Sequence, residues 1–589
     1  MIPDAVSPTS APGWPPATPA GSLMDELASL LAVAGCADEC TTIEVRRDPR
    51  PPVDIRMFLG DGSGRLSARL PMLEQALVDH PTVESTRFAT KAGRATVSLR
   101  LADDRVRELG HATARSGPPM AHLAEVADAR RWVVGFLGAN ASKGLHLGHL
   151  RNIVVGHATA SLLAGVGLPT TAYSLVGDIG RTVCEALAGH DLGLAGPDPR
   201  ATGAKPDLYV GACYRAYLAR AAGADPTVAD ATVDPCRREY DVKHDLADKL
   251  LARWWAGDAD TVERWCGLVA QVDEGHRATL RALGVTIDEW WPESEQLAHA
   301  VRIVDAAVER GVARRLPDGR VVFDSNCAGF PQVVLRRSDG FPTEHARVVA
   351  VFDRLFAEQP GPLVHVDYNG TEWEHAQAAL TEFMAAMGLV PITVVHRPTI
   401  HGMVCVEGAE LSSSRDEPPL IDDLLDAVVG SPRVTEVVGA ADGAGACRAV
   451  VADLVVKTFF LSSARVKPLV YSWARLLDPA TNPGWTVARA WCRHESGAGA
   501  RSDRSHNPAD PAYRLAVLQA QTLPLELTKS IEPGGDVDLS HLVSFLVHTA
   551  RRLLDAPPGS AQAAVERSTL RRCLELLGFR ITPTPGGQS

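Results

Sequence analysis

Arg131-Trp-Val-Val-Gly-Phe-Leu-Gly-Ala-Asn140-Ala-Ser-Lys143-Gly-Leu-His146-Leu-Gly-His149 is the stretch whose reading decides the fold. Its first half is a short apolar run of β-preferring residues that gives way to Gly, Ala, Asn and Ser. That pattern reads as a buried strand entering a loop. From His146 the apolar period changes: Leu147, Leu150, Val154, Ala158 and Leu162 step by three and four, and Gly165 and Gly167 end the run. A second strand follows at 170–176. Strand, helix and strand make a βαβ unit, the opening of a nucleotide-binding α/β domain.

The loop carries the chemistry. His146 and His149 sit three apart at the helix N-terminus with Gly148 between them. Backbone N–H groups and the helix dipole already favour anions such as phosphate there. Imidazole N–H donors can stabilise charge on a transferring phosphate, and a glycine lets a nucleotide ring approach the backbone. Lys143 adds a positive charge just before the helix; the chain has only 8 lysines against 51 arginines, so a lysine here is informative. Taken alone the histidine pair also fits surface residues or two metal ligands. The strand before it, with lysine and asparagine in the loop, favours the phosphate reading.

Outward from this unit, 589 residues are too many for one hydrophobic core. Residues 1–22 hold six prolines with Ser, Thr and Ala and read as a disordered tail. Residues 23–118 read as a small α+β domain, with a helix at 23–40, β-like runs at 52–58 and 94–101, and a helix at 68–79 between them. The α/β domain extends over 125–425 with a helical insertion at about 190–310. Strands and helices alternate again between 320 and 400, and 426–589 read as helical. The net charge of −12 argues against a protein that only coats nucleic acid. Eleven cysteines form no CxxC pair, so no metal site is expected. The N-terminus shows no signal peptide and no run reaches a membrane span, so a cytoplasmic protein without a membrane partner is expected.

His146-Leu-Gly-His149 resembles the HIGH signature of class I aminoacyl-tRNA synthetases. The region from Gly138 to Gly180, including Val176-Gly-Asp-Ile-Gly180, resembles the arginyl-tRNA synthetases specifically. So do Leu283-Gly-Val-Thr-Ile-Asp288 followed by Glu293-Ser294, and Asp339-Gly-Phe-Pro-Thr343, which is similar to the family's DGTPTY segment. Glu410-Leu-Ser412-Ser413-Ser414 before Ile421-Asp-Asp resembles the KMSKS loop, and Val456–Ser463 with Trp473–Leu477 resembles the start of the family's helical anticodon-binding domain. The resemblance implies a Rossmann-type catalytic domain, an N-terminal α+β domain and a helical anticodon-binding-like domain. It implies ATP with magnesium, an amino-acid substrate (arginine by family default), a tRNA partner, no DNA, and a monomer.

By the same resemblance, Lys143, His146 and His149 are the catalytic candidates. Gly148, Gly402, Met403, Val404, Ser412 and Ser413 are the ATP-binding ones, and Asn140, Glu293, Glu344 and Val348 the amino-acid pocket. Three places depart from the family pattern. The KMSKS-like loop has neither lysine, a loss for which Lys143 is placed to compensate. Glu344 and Val348 stand where the family has a tyrosine and an aspartate, and replacing that aspartate removes a bidentate partner for a guanidinium. Trp485 and Arg493 stand in a segment whose aromatic residues pack beside tRNA in the family, although Trp485 and Trp491 also fit a buried core. Two further readings therefore stay open: a divergent paralogue that activates another substrate for specialised metabolism, and a catalytically silent tRNA-binding or regulatory protein.

Overall fold

The computed structural model describes residues 23–37, 40–45, 53–60, 65–120, 130–196, 205–224, 240–359, 361–407, 419–438, 444–495, 506–531 and 536–581. The tail expected at 1–22 and the candidates Ser412 and Ser413 lie outside them. The chain divides into two compact units. One comprises 1–129, 485–532 and 541–576; the other comprises 130–484, 533–540 and 577–589.

The first unit opens with α1 (Leu23–Val33), β1 (Cys40–Val45), β2 (Ile55–Gly60), α2 (Leu66–Val78), β3 (Val83–Lys91), β4 (Arg94–Leu101) and α3 (Asp103–Ser116). Its antiparallel sheet has the order β1-β2-β4-β3. Along β2 the side chains alternate, with Ile55, Met57 and Leu59 buried, as a half-covered strand requires. Sequence reasoning passed over β3 because Val-Glu-Ser-Thr-Arg-Phe-Ala-Thr-Lys is mostly solvent-facing and offers no apolar period.

The second unit runs through β5 (Arg131–Gly135), α4 (Leu147–Gly165), β6 (Thr170–Val176), α5 (Arg181–Asp191), α6 (Pro206–Ala224), α7 (Leu246–Trp255), α8 (Ala259–Ala282), β7 (Glu289–Pro292) and α9 (Leu297–Glu309). It continues with β8 (Arg314–Arg315), β9 (Val321–Asp324), β10 (Gln332–Arg336), α10 (Glu344–Glu358), β11 (Leu363–Gly370), α11 (Glu374–Met387), β12 (Val394–His401) and β13 (Val404–Val406). After these come α12 (Ile421–Gly430), α13 (Pro432–Val438), α14 (Ala444–Leu461), β14 (Leu469–Tyr471) and α15 (Trp473–Leu477). The central sheet is parallel throughout, with the order β12-β11-β5-β6-β7. Val133 of β5 packs into the cluster that holds α10 and α11, while α4 packs on β5, β6 and β11. Helices on both faces explain why Trp132, Val133 and Val134 are all buried and show no alternation. Within the 320–400 region read as alternating strands and helices, β9 and β10 lie in a separate antiparallel sheet, β10-β9-β8.

Helices α16 (Gly484–Glu495), α17 (Pro511–Ala520), α18 (Leu523–Ser530), α19 (Ser540–Asp555) and α20 (Ala561–Leu576) complete the first unit. The region read as helical from 426 is thus split between the two units. Arg514 of α17, 5 % exposed, donates Nε and Nη2 to the two carboxylate oxygens of Asp54 at 2.7 and 2.6 Å. This is a bidentate pair that joins the helices of this unit to its sheet.

Candidate active site

The loop leaving β5 is held in a strained form. Leu137 adopts a φ of 80°, rare outside glycine, and its N–H donates to Asn152 Oδ1 at 2.6 Å. Asn152 in turn donates to the Tyr368 carbonyl at 2.6 Å, so α4 clamps the loop between two strands. His146 is the N-cap of α4, with an extended backbone. Its Nδ1 accepts the Gly148 N–H at 3.1 Å, and His149 Nδ1 accepts the His146 N–H at 3.3 Å. Each ring spends its Nδ1 lone pair on a backbone donor, which assigns the proton of each to Nε2. Burial, with Lys143 and His276 nearby, pushes His146 down to about 3 and His149 well below its ordinary value. Both rings are therefore neutral and present one N–H donor each at a helix N-terminus.

Helices of the insertion hold Lys143 in place. Its carbonyl accepts a hydrogen bond from His276 Nε2 of α8 at 2.8 Å, and its ammonium lies 5.9 Å from the Tyr214 ring of α6. Arg151, fully buried on α4, donates to the carbonyls of Gly402, Ala464 and Arg465 at 2.9–3.1 Å, fixing the 402–404 segment against the histidine helix. Gly402 is required there, because a Cβ would stand 2.4 Å from the Lys467 carbonyl oxygen. Met403 is 44 % exposed, whereas Val404 is buried in β13. On the other side, Leu147 N–H donates to the Pro419 carbonyl at 2.8 Å and Ile421 N–H to the Leu145 carbonyl at 3.0 Å. The chain just before α12 is thus zipped to the His146 loop.

Asn140 is exposed and bridges to Gly177 of the neighbouring loop. Asp178 accepts from the Ser294 N–H at 2.9 Å and from its hydroxyl, which positions Glu293. Glu293 Oε2 accepts from Arg347 Nε at 2.6 Å, and Arg347 also donates to the Pro342 carbonyl at 2.8 Å. Glu344 opens α10 and is half-buried, while Val348 is 5 % exposed within the apolar cluster under that helix.

No family model matches this chain. Among curated proteins, the arginine–tRNA ligase of Amoebophilus asiaticus is 27 % identical over 303 residues, half of each chain. That of Frankia casuarinae is 24 % identical over 533 residues, 83 % of this chain and 85 % of its own. The chain spans about half the length of the first of these relatives. Among solved structures, Thermus thermophilus arginyl-tRNA synthetase superposes with a TM-score of 0.66 at 19 % identity, covering 95 % of this chain and 98 % of its own. The Plasmodium falciparum arginyl-tRNA synthetase gives 0.64 at 11 % identity, over 94 % and 96 %. The chain is thus similar to arginine–tRNA ligases in sequence over up to 83 % of its length, and to arginyl-tRNA synthetases in fold over 95 %. The α/β fold with helical C-terminal segments is shared with both solved structures.

The structure brings Lys143, His146, Gly148 and His149 together at one helix N-terminus, with Gly402–Val404 tied to the same helix. Trp485 is a correction. Its side chain is 1 % exposed and fills a core, so the ring offers no face on which a base could stack. Trp491 is 6 % exposed. Arg493 is exposed and donates Nη1 to the Leu554 carbonyl at 2.7 Å. Among the described residues no cluster of three or more His, Cys, Asp or Glu could hold a metal, and no helix is long and apolar enough to cross a membrane.

Sequence reasoning missed Arg151, His276 and Arg347, whose signal is burial rather than spacing. It also missed a buried polar chain across the sheet. His396 and His365 meet through Nδ1 at 2.8 Å, His365 Nε2 meets the Tyr173 hydroxyl at 2.7 Å, and that hydroxyl donates to Asp367 Oδ1 at 3.1 Å. Asn369 Nδ2 donates to Asp367 Oδ2 at 2.7 Å. Gly135 makes the crossing possible, since a Cβ there would stand 2.4 Å from the Tyr173 hydroxyl.

Proposed function

We propose that this protein is an ATP-dependent aminoacyl-tRNA ligase that activates an amino acid, arginine by family default, and transfers it to tRNA. One observation carries the reading: two neutral imidazoles, each with its N–H on Nε2, at the N-terminus of the helix that follows β5. When a carboxylate attacks the α-phosphate of ATP, negative charge builds on the phosphate oxygens as pyrophosphate leaves. Donors fixed beforehand by the backbone can meet that charge without reorganising, and one such donor is worth about 2.7–4 kcal/mol. Neutral rings serve this better than titrating ones, because their donors persist across the physiological pH range. Lys143 supplies the nearby positive charge that the KMSKS-like segment lacks. Magnesium would arrive with ATP, and no protein ligand is assigned to it. The aminoacyl group would then pass to the terminal ribose of tRNA, with the protein acting as a cytoplasmic monomer.

The test is amino-acid-dependent ATP–pyrophosphate exchange with tRNA present, for the wild type and for H146A and H149A. Exchange with arginine that falls at least a hundredfold in either variant supports the reading. Wild-type silence with every amino acid overturns it.

A further inference from the structure

Lys205 stands immediately ahead of α6, in a chain that carries only 8 lysines. Its ammonium has three N–H donors and meets three acceptors, each on a different helix. Asp207 Oδ2, in the first turn of α6, lies at 3.1 Å and Asp422 Oδ2 of α12 at 2.7 Å. The third acceptor is Thr279 Oγ1 of α8. The Thr279 hydroxyl is fully buried and donates on to Asp422 at 3.1 Å, so lysine, threonine and aspartate close a ring. With its donors spent in this way, Lys205 holds none in reserve for a phosphate. What it contributes is the position of the elements it ties.

Both ends of the tie reach the His146 loop. Asp207 is 0 % exposed and wedged between that loop and α8. A Cβ on Gly144 would stand 3.2 Å from Asp207 Oδ2, and one on Gly275 would stand 2.1 Å from its carboxyl carbon. One residue on from Gly275, His276 bonds the Lys143 carbonyl. At the other end, Asp422 is the second residue of α12, next to Ile421, whose N–H is bonded to the Leu145 carbonyl. The Leu147 N–H bonds the Pro419 carbonyl just ahead of it.

Electrostatics give the ammonium its weight. Burial pushes the Asp207 carboxyl above its ordinary value; Lys205 and His276 oppose that push, and the charge of Asp422 adds to it. The two carboxylates therefore repel, and Lys205 is the cation between them. Charge-assisted hydrogen bonds are roughly twice as strong as neutral ones, so the ring around Lys205 outweighs the backbone pair that joins α12 to the loop. Lys205 is 20 % exposed, which leaves the tie only partly screened by solvent.

We propose that Lys205, through Asp422, is a positioning residue that sets the start of α12 against the loop carrying Lys143 and His146. Its effect on rate rests on the proposed amino-acid activation, whereas its effect on position is read separately. Without the ammonium, Asp207 and Asp422 push apart, and the backbone pair between α12 and the loop opens more often.

The experiment follows the full chain and its Lys205→Met, Lys205→Arg and Asp422→Ala variants by amide hydrogen–deuterium exchange. The same proteins are assayed by ATP–pyrophosphate exchange with arginine and tRNA. Amide exchange at Leu147 and at 420–424 is expected to rise at least tenfold in Lys205→Met and Asp422→Ala, with α11 unchanged. The kcat should fall at least tenfold in both, with the KM for arginine within twofold, and Lys205→Arg should return it to within fivefold of wild type. The Lys205→Met/Asp422→Ala double variant should lose no more than Lys205→Met, because one tie is cut either way. Asp422→Ala, at a partly exposed side chain, carries the test should Lys205→Met fail to fold. Unchanged protection at Leu147 and 420–424 in Asp422→Ala, or a rise spread equally over α11, overturns the inference. So do losses that multiply in the double variant. Wild-type silence in pyrophosphate exchange removes the activation reading alone, and the amide readout then decides this one.

Discussion

Arg347 donates Nε to Glu293 Oε2 at 2.6 Å, and the two side chains are 2 % and 4 % exposed. This ion pair joins the first turn of α10 to the segment after β7, so the acidic residue that sequence reasoning assigned to a substrate already has a partner in the chain. Removing one member of a buried pair leaves an uncompensated charge, which costs about 3–5 kcal/mol. Arg347→Met is expected to lower the unfolding free energy of this unit by about that amount in a denaturant titration. The Glu293→Gln/Arg347→Met double variant should recover most of it, and equal losses in single and double variants would contradict the pairing.

His276 acts through Lys143. Its Nε2 hydrogen bond to the Lys143 carbonyl fixes the loop ahead of the histidine pair. A misplacement of about 1 Å at such a site can cost about a hundredfold in rate. His276→Ala is expected to reduce the exchange kcat by about ten- to a hundredfold, with little change in the KM for the amino acid. A KM effect alone would mean that His276 serves substrate binding instead.

The buried titratable groups pull stability in opposite directions. Asp367 is raised by burial to about 6, with Tyr173, His365, His396, Asn369 and Gln377 facing it or linked to it. Its protonated form is favoured by folding, so its contribution is full below its ordinary value of 3.8 and is lost as pH rises through about 6. Above that, the ionised carboxylate costs about 3 kcal/mol. Asp367→Asn should therefore be more stable than the wild type by up to about that much at pH 8, with no gain near pH 4. A destabilised Asp367→Asn at pH 8 would make Asp367 a structural residue.

His146, lowered to about 3, and His149, lowered well below its ordinary value, have the opposite sign. Their contribution is present above the ordinary 6.5 and is lost as pH falls toward the folded value. The exchange kcat should stay flat from pH 8 to 6, because the imidazoles remain neutral. A kcat that titrates near 6.5 would contradict the neutral-donor assignment.

What was legible in the sequence was local. The change of period at His146 located the end of β5 and the start of α4, and the apolar run at 170–176 located β6. Burial between distant segments was not legible. Arg347 is one arginine among 51 and owes its role to Glu293, 54 residues away. Asp367 sits in Leu-Val-His-Val-Asp, an ordinary strand run, and its lack of a cation emerges only when three other strands and α11 surround it. Trp485 failed for the same reason: an aromatic residue in a helix has the same spacing whether its face meets solvent or core. Ser412 and Ser413 lie outside the described residues, and their place in the KMSKS-like segment rests on the sequence.

The most direct test of the account is ATP–pyrophosphate exchange across all twenty amino acids with homologous tRNA present. The account predicts a signal confined to an amino acid with a cationic side chain, arginine first, that falls at least a hundredfold in His149→Ala. Exchange absent with every amino acid, or undiminished in His149→Ala, would contradict it.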